Sequence, residues 1–221
     1  MYRISLIISF VIALTFLHAT NINAGNVKNI ARSPEEVCPA TPGTEFPDMN
    51  VTTVNGESYS ITESVRNEPA IVIFYRGGWC PYCNMHLQEL RTIENELIEM
   101  GYNIYAVSPD TPGKLAESIE THDMQYTLLS DSDLLLGQAL GIVFQEEAER
   151  VEWLREHAMD IEEYSGSDHN LLPVPAVFII DKDAEIKFSF VHPDYRIRLD
   201  SNVLLTAARS LLDQDWEIQR Q

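Results

Sequence analysis

Cys80-Pro81-Tyr82-Cys83 stands where a continuous apolar run gives way to an amphipathic stretch, and this junction constrains the fold more than any other feature of the chain. Ala70 to Tyr75 has the make-up of a central strand buried on both faces. Beyond the cysteines, Leu90, Ile93 and Leu97 recur at helical spacing, and the pattern stops near Gly101. A helix therefore opens at the dithiol. The first amides of a helix are unpaired and its N-terminus is partly positive, so a thiolate placed there is stabilised. Its pKa falls below the free value of about 8.5, and the thiolate is the nucleophilic form. Arg76 adds positive charge next to it. Pro81 suits the first helical position, where a missing N–H costs nothing. Gly77-Gly78 lets the backbone turn sharply out of the strand. Cys83 lies on the same helical face as Cys80 and can close a disulfide onto it.

The rest of the chain supplies the frame. Gly43 to Ile61 reads as a hairpin around Asn55-Gly56, two residues that tolerate positive φ. Asn103 to Val107 is a second buried strand. Thr111-Pro112 reads as an N-cap followed by a first-turn proline, with Leu115 and Ile119 on the inner face of that helix. A short helix is predicted over 134–140. Ala148, Val151, Leu154, Ala158 and Ile161 form a stripe among glutamates, which predicts one acidic amphipathic helix with a solvated outer face. Ala176 to Ile180 and Ile186 to Val191 are strands joined at Asp181–Asp183. Ser201 is the expected cap of a last helix carrying Val203, Leu204, Ala207 and Leu211. This order predicts an α/β fold: a mixed central sheet flanked by helices, with an N-terminal hairpin and a helical insertion.

The formal charge of −19 argues against nucleic acid as a partner. Arg3, the apolar run Ile4 to Leu17 and the small residue Ala24 match a secretory signal peptide over 1–24, followed by a linker or arm over 25–41. The expectation is an exported protein, periplasmic or secreted, with no stable membrane insertion after cleavage. Export implies an oxidising compartment, yet there are only three cysteines, too few for a disulfide scaffold. A catalytic dithiol is the better reading of Cys80 and Cys83. The leftover Cys38 reads as a free thiol on the arm, with a second resolving cysteine or an intermolecular link as alternatives. No second ligand pair accompanies the dithiol and the six histidines are scattered, so no metal or other cofactor is expected.

A C-x-x-C placed after a buried strand and before a helix is thioredoxin-like. Phe74-Tyr75-Arg76-Gly77-Gly78-Trp79-Cys80-Pro81-Tyr82-Cys83 resembles the redox loop of peroxiredoxin-like proteins of the alkyl hydroperoxide reductase/thiol-specific antioxidant (AhpC/TSA) superfamily. Weaker matches are Gly43-Thr44-Glu45-Phe46-Pro47-Asp48, Val107-Ser108-Pro109-Asp110-Thr111-Pro112, Leu128-Leu129-Ser130-Asp131, Leu172-Pro173-Val174-Pro175-Ala176 and His192-Pro193-Asp194-Tyr195. The resemblance spans about residues 42–213 and implies a thioredoxin-like domain there, with a short tail over 214–221. It also implies a proline beside the dithiol, a place Pro175 fits, with a cis bond as a hypothesis. The departures matter as much. Typical peroxiredoxins carry P-x-x-x-T-x-x-C; aligned from Phe74-Tyr75, Cys83 takes the peroxide-attacking position, Cys80 the Thr position and Arg76 the Pro position. The family's arginine before the later strand is Pro175 here. Thioredoxins place a buried acid just before the aromatic pair, where this chain has Ile73.

Two mechanisms follow from the resemblance. In disulfide exchange, ranked first, Cys80 attacks a protein or small-molecule disulfide and Cys83 resolves the mixed disulfide. In peroxide reduction, Cys83 attacks a peroxide and the sulfenic acid condenses with Cys80. Either needs a thiol electron donor that the sequence does not identify. Arg76, Trp79 and Pro175 are the expected substrate-contacting residues. His86, three residues after Cys83, reads as a solvent-exposed helix residue, with a base for the dithiol as the alternative. A copper carrier using the two cysteines and His192 ranks last, because such cysteines are usually spaced more widely.

Overall fold

The computed structural model describes residues 30–121 and 126–212. The expected signal peptide and the 214–221 tail lie outside the described residues, as does the side chain of Ile119. In chain order the elements are β1 (Asn50–Thr53), β2 (Ser58–Ser60), α1 (Ile61–Ser64), β3 (Ala70–Phe74), α2 (Pro81–Glu99), β4 (Asn103–Ser108), α3 (Pro112–Thr121) and β5 (Thr127–Ser130). They continue with α4 (Leu135–Ala139), β6 (Val143–Gln145), α5 (Ala148–Glu156), α6 (Ile161–Ser165), β7 (Leu171–Pro173), β8 (Ala176–Ile180), β9 (Ile186–Val191) and α7 (Ser201–Leu212).

Seven strands form one mixed sheet in the order β2-β1-β5-β4-β3-β8-β9. The apolar run that marked β3 is buried throughout and lies between β4, which runs parallel to it, and β8, which runs antiparallel. A strand buried on both faces has no polar side to present, which is why its sequence does not alternate. Phe178 on β8 packs edge-on against Phe74 of β3 and against Phe46 of the N-terminal segment, tying the hairpin side to the centre. α2 packs on α7, and the contact is completed by the Tyr102 hydroxyl donating to the Ala208 carbonyl at 3.0 Å. The mixed sheet, the N-terminal hairpin and the helical insertion are as expected.

Four local expectations change. The acidic stripe is not one helix. α5 stops at Glu156, Ala158 takes a φ of +58°, and Asp160 opens α6 by accepting the N–H groups of Glu162 and Glu163. Val151, Leu154 and Ile161 are buried, whereas Ala148 and Ala158 are exposed. The stripe's spacing was that of a helix, but a side-chain cap inside it competes with the ladder and wins. Arg155 then bridges the two short helices through Glu152, Asp160 and Glu162. Asp160→Ala removes a cap and one arm of that bridge. It is expected to cost about 1 kcal/mol and to lower Tm by roughly 3 °C in thermal unfolding; an unchanged Tm refutes the capping role.

The last helix is capped by Asp200, which accepts the N–H of Asn202 at 2.8 Å; Ser201 is instead the first helical residue and Val203 faces outward. The stretch expected as a linker or arm is docked where it is described. Ala31 and Gln145 exchange backbone hydrogen bonds with Val143 and Ala31, and Cys38 N–H donates to the Gly141 carbonyl at 3.1 Å. Gly141 sits at φ +68°, and a side chain there would collide with the Cys38 carbonyl. Finally, β6 and β7 pair as a separate two-stranded sheet, so the insertion carries strands as well as helices.

Candidate active site

Parallel pairing of β3 and β4 brings their C-terminal ends side by side, with Phe74 opposite Val107 and the Tyr75 N–H on the Val107 carbonyl at 3.0 Å. The loop that carries the dithiol and the loop after β4 therefore leave the sheet together. That edge is the usual place for chemistry in open α/β sheets.

Cys80 is the N-cap of α2, with Pro81 at the first helical position, as the spacing predicts. Cys80 N–H donates to the Gly77 carbonyl at 3.1 Å and Asn84 Nδ2 to the Gly78 carbonyl at 2.9 Å, so the loop is pinned at both glycines. Both cysteines lie beneath the surface. The Cys83 thiol donates a hydrogen bond to the Cys80 sulfur, and this is the main reason the Cys80 thiol falls to about 6. Burial opposes the shift; Arg76, the Cys83 backbone N–H and Arg198 assist it. Cys83 moves the other way, well above its ordinary value, because it is fully enclosed and faces the Cys80 thiolate. The pair thus divides into an acidic thiol at the helix start and a protonated one behind it.

Arg76 is buried and lies between two rings, 4.5 Å from the centre of Tyr195 and 5.1 Å from that of Trp79. Its Nη2 donates to Glu146 at 3.3 Å. Cation–π contact and one acid hold the guanidinium in place while leaving a net field on Cys80. Tyr82 meets Tyr195 edge-on at 5.6 Å. Cys80, Cys83, Arg76 and Trp79 are thus assembled in one place. Pro175 ends next to them by register: Ala176 pairs with Phe74, so the proline sits at the strand end from which the redox loop departs. The peptide bond before it is trans, not cis as hypothesised.

Three side chains depart from or escape the sequence reading. His86 is not solvent-exposed. It is buried against α7's lead-in, with Nε2 at 3.1 Å from the Leu199 carbonyl, and burial holds it neutral down to about pH 4. Arg198 donates from Nη2 to Cys83 Sγ at 3.4 Å, and among the described residues its Nε and Nη1 have no partner. Asp110, just past β4, is wholly buried; its Oδ2 accepts the Gly78 N–H at 2.7 Å and the Ser108 hydroxyl at 3.1 Å. Asp110 stands in the Val107–Pro112 stretch of the family resemblance, but its place under the redox loop comes from the pairing of β3 with β4. Arg198 has no signal in the sequence, because it reaches Cys83 across 115 residues of chain.

A groove of about 530 Å³ lined by Tyr82, Met85, His86, Glu89, Arg196 and Arg198 opens beside the helix start. His192, the metal-carrier candidate, accepts the Asp194 N–H on Nδ1 and stacks on Phe190, serving a turn. Among the described residues, no group of three His, Cys, Asp or Glu converges on a metal position. Cys38 is exposed on the docked arm.

The chain is similar to several known proteins. Over 104 residues the chain is 28% identical to peroxiredoxin Bcp of Escherichia coli, covering 47% of this chain and 66% of that one. Over 112 residues it is 30% identical to the thiol:disulfide interchange protein DsbE of Pseudomonas aeruginosa, covering 49% of this chain and 59% of that one. The chain spans less than two thirds of the length of either. In three dimensions it is similar to peroxiredoxin 6 of Arenicola marina, with a TM-score of 0.63 at 21% identity over 78% of this chain and 73% of that one. At that identity the likeness speaks for the fold, which is thioredoxin-like as expected. Residues 42–189, well over half the chain and including both sulfurs, match the model of the AhpC/TSA family, and to that family the chain belongs.

Proposed function

We propose that this chain is a thiol-dependent oxidoreductase that works by disulfide exchange, with Cys80 as nucleophile and Cys83 as resolving thiol. The observation that carries the reading is the division of labour between the two sulfurs. Cys80 caps a helix, accepts a hydrogen bond from Cys83 and is thiolate near neutral pH, whereas Cys83 is enclosed and protonated. That order suits attack by Cys80 on a substrate disulfide, followed by attack of Cys83 on the mixed disulfide. The likeness to a thiol:disulfide interchange protein supports the same class of chemistry. The electron donor is a thiol, and Arg76 and Trp79 form the wall a substrate meets. With the expected signal peptide, the place of action is outside the cytoplasm.

A second reading has its own observation. Cys83 takes the peroxide-attacking position of the family, and Arg198 beside it supplies a guanidinium with two free nitrogens. In that reading Cys83 reduces a peroxide, as the peroxiredoxin relatives' names describe for those proteins.

The two separate in one experiment. The reduced protein is mixed with a protein disulfide or with hydrogen peroxide while intrinsic fluorescence is followed. Exchange predicts that the disulfide reacts faster, that Cys80→Ser is silent, and that Cys83→Ser accumulates a mixed disulfide. A faster reaction with peroxide, together with a silent Cys83→Ser variant, overturns it in favour of the peroxidase.

A further inference from the structure

The groove beside the start of α2 is used by neither mechanism above. It encloses about 530 Å³ between Tyr82 and Met85 on α2 and Arg196 and Arg198 on the segment leading into α7. It reaches the sulfurs: Arg198, one of its walls, donates to Cys83 Sγ at 3.4 Å, and Tyr82 stands two residues past Cys80. A substrate disulfide that reaches Cys80 therefore brings its flanking groups to this groove. Two properties say which groups it would take. The first is exposed apolar surface. Met85 is 66% exposed, Tyr82 41%, and Ile197, between the two arginines, 46%. Large apolar side chains gathered at the surface mark a contact site, and aromatic, methionine and arginine side chains are the types enriched in protein interfaces. Met85 is unbranched and adapts to differing neighbours. The second property is charge. The chain carries −19 overall, yet the groove sets two arginines against Glu89. Arg196 is already engaged by Asp194, at 2.7 and 2.9 Å. Arg198 has its Nη2 on the Cys83 sulfur, and among the described residues its Nε and Nη1 have no partner. Those two nitrogens are enclosed, so a ligand meets Arg198 as a positive floor rather than as a hydrogen-bond donor. The cation left without an acid is thus the one that touches the dithiol.

We propose that this groove docks the segment of a partner protein that flanks its reacting cysteine, and that it prefers a segment carrying apolar and acidic side chains. The proposal rests on the disulfide-exchange reading and names the substrate class of that site. The apolar neighbours of the partner's cysteine pack on Met85 and Tyr82, and its acid lies in the field of Arg198. This preference runs against the charge of the whole molecule, which by itself draws a basic segment. Recognition by the groove and steering by the net charge therefore predict opposite orders of substrates.

The test uses the full chain in a Cys38→Ser background, since Cys38 is exposed and would react. The probes are short peptides with a central cysteine activated as its 2-pyridyl disulfide, flanked by leucine and by either glutamate or lysine. The Cys80 thiolate bonds to the peptide sulfur and pyridine-2-thione leaves, so its absorbance reads the rate of attack. Cys83 then displaces the peptide as its thiol and closes the Cys80–Cys83 disulfide. Each rate is divided by that of free 2-mercaptoethanol with the same peptide, which removes the peptides' own reactivity. The 2-pyridyl disulfide of 2-mercaptoethanol, which has no side chains to dock, is the reference. In low salt the glutamate peptide is expected to react about 5- to 10-fold faster than the lysine peptide, and added salt narrows the gap. The two peptides are compared within one protein, so a change in the Cys80 pKa cancels. In Arg198→Met the glutamate-to-lysine ratio falls to about 1 or below, and Arg198→Lys keeps part of it. Met85→Ser, a surface change, slows the glutamate peptide relative to the reference by about threefold or more. A lysine peptide that reacts as fast as the glutamate peptide, or faster, overturns the proposal. So does a preference left intact by both Arg198→Met and Met85→Ser, which places recognition elsewhere. If neither the peptides nor the reference reacts at Cys80, the exchange reading fails and this proposal with it. Reaction with the reference but no preference for glutamate sinks this proposal alone.

Discussion

Gly77→Ala is expected to destabilise the chain by about 4 kcal/mol and to lower Tm by roughly 10 °C, with loss of dithiol reactivity. Gly77 has a φ of +139°, a backbone region open in practice to glycine alone. The added carbon would also collide with the Trp79 ring nitrogen and with Asp110 Oδ1. Neither neighbour has room to move. Trp79 is packed against Arg76, and Asp110 is held by the Gly78 N–H and Ser108. Gly56→Ala is the control, because that glycine is also at positive φ, +83°, but its side-chain space is empty. Backbone strain alone costs about 1 kcal/mol there. Chemical denaturation of both variants, with iodoacetamide reactivity read alongside, measures the difference. Equal losses in the two variants would mean that the crowding around Gly77 relaxes freely and that the redox loop is not rigidly supported.

Removing the thiol of Cys83 is expected to move the pH profile of Cys80 by a large amount. The hydrogen bond from Cys83 is the leading reason that Cys80 falls from 9.0 to about 6, with Arg76 and Arg198 assisting against burial. Cys83→Ala deletes that donor and leaves the desolvation in place, so the Cys80 pKa rises. At pH 6 the thiolate, half-populated in the parent, becomes a minor species, and alkylation slows by about 10- to 100-fold. Near pH 9 the two proteins converge, since both are then largely ionised. Arg76→Met shifts the midpoint in the same direction but less. The measurement is the iodoacetamide rate between pH 4 and pH 10 in a Cys38→Ser background. A midpoint that stays near 6 in Cys83→Ala would transfer the effect to the helix amides and the arginines.

Much of the centre was legible because it is local. A buried strand, two glycines, a dithiol and a proline at the first helical position follow one another without interruption, and each has a short-range reason to be where it is. The acidic stripe at 148–161 shows where such reading fails. Its spacing is helical, but Asp160 competes for the backbone N–H groups, and no periodicity registers a competition of that kind. Ser201 and Asp200 make the same point at α7, where two adjacent capping residues differ only in which one the preceding chain leaves outside the helix. His86 was read as exposed because its own helix leaves its surroundings open, and what covers it is Leu199 from a distant segment.

The sequence by itself determined the order of strands and helices, the position of the dithiol at a helix start and the lowered pKa expected of Cys80. These rest on interactions within a few residues, and hydrophobic periodicity and helix-end chemistry express them directly. Only the tertiary structure decided which charged groups surround the sulfurs. Asp110 arrives because β3 and β4 pair in parallel, Arg198 because the lead-in to α7 crosses the start of α2, and Glu146 because the insertion folds back over Arg76. A Coulomb or hydrogen-bond partner is chosen by distance in space, and packing brings together residues that no local pattern relates.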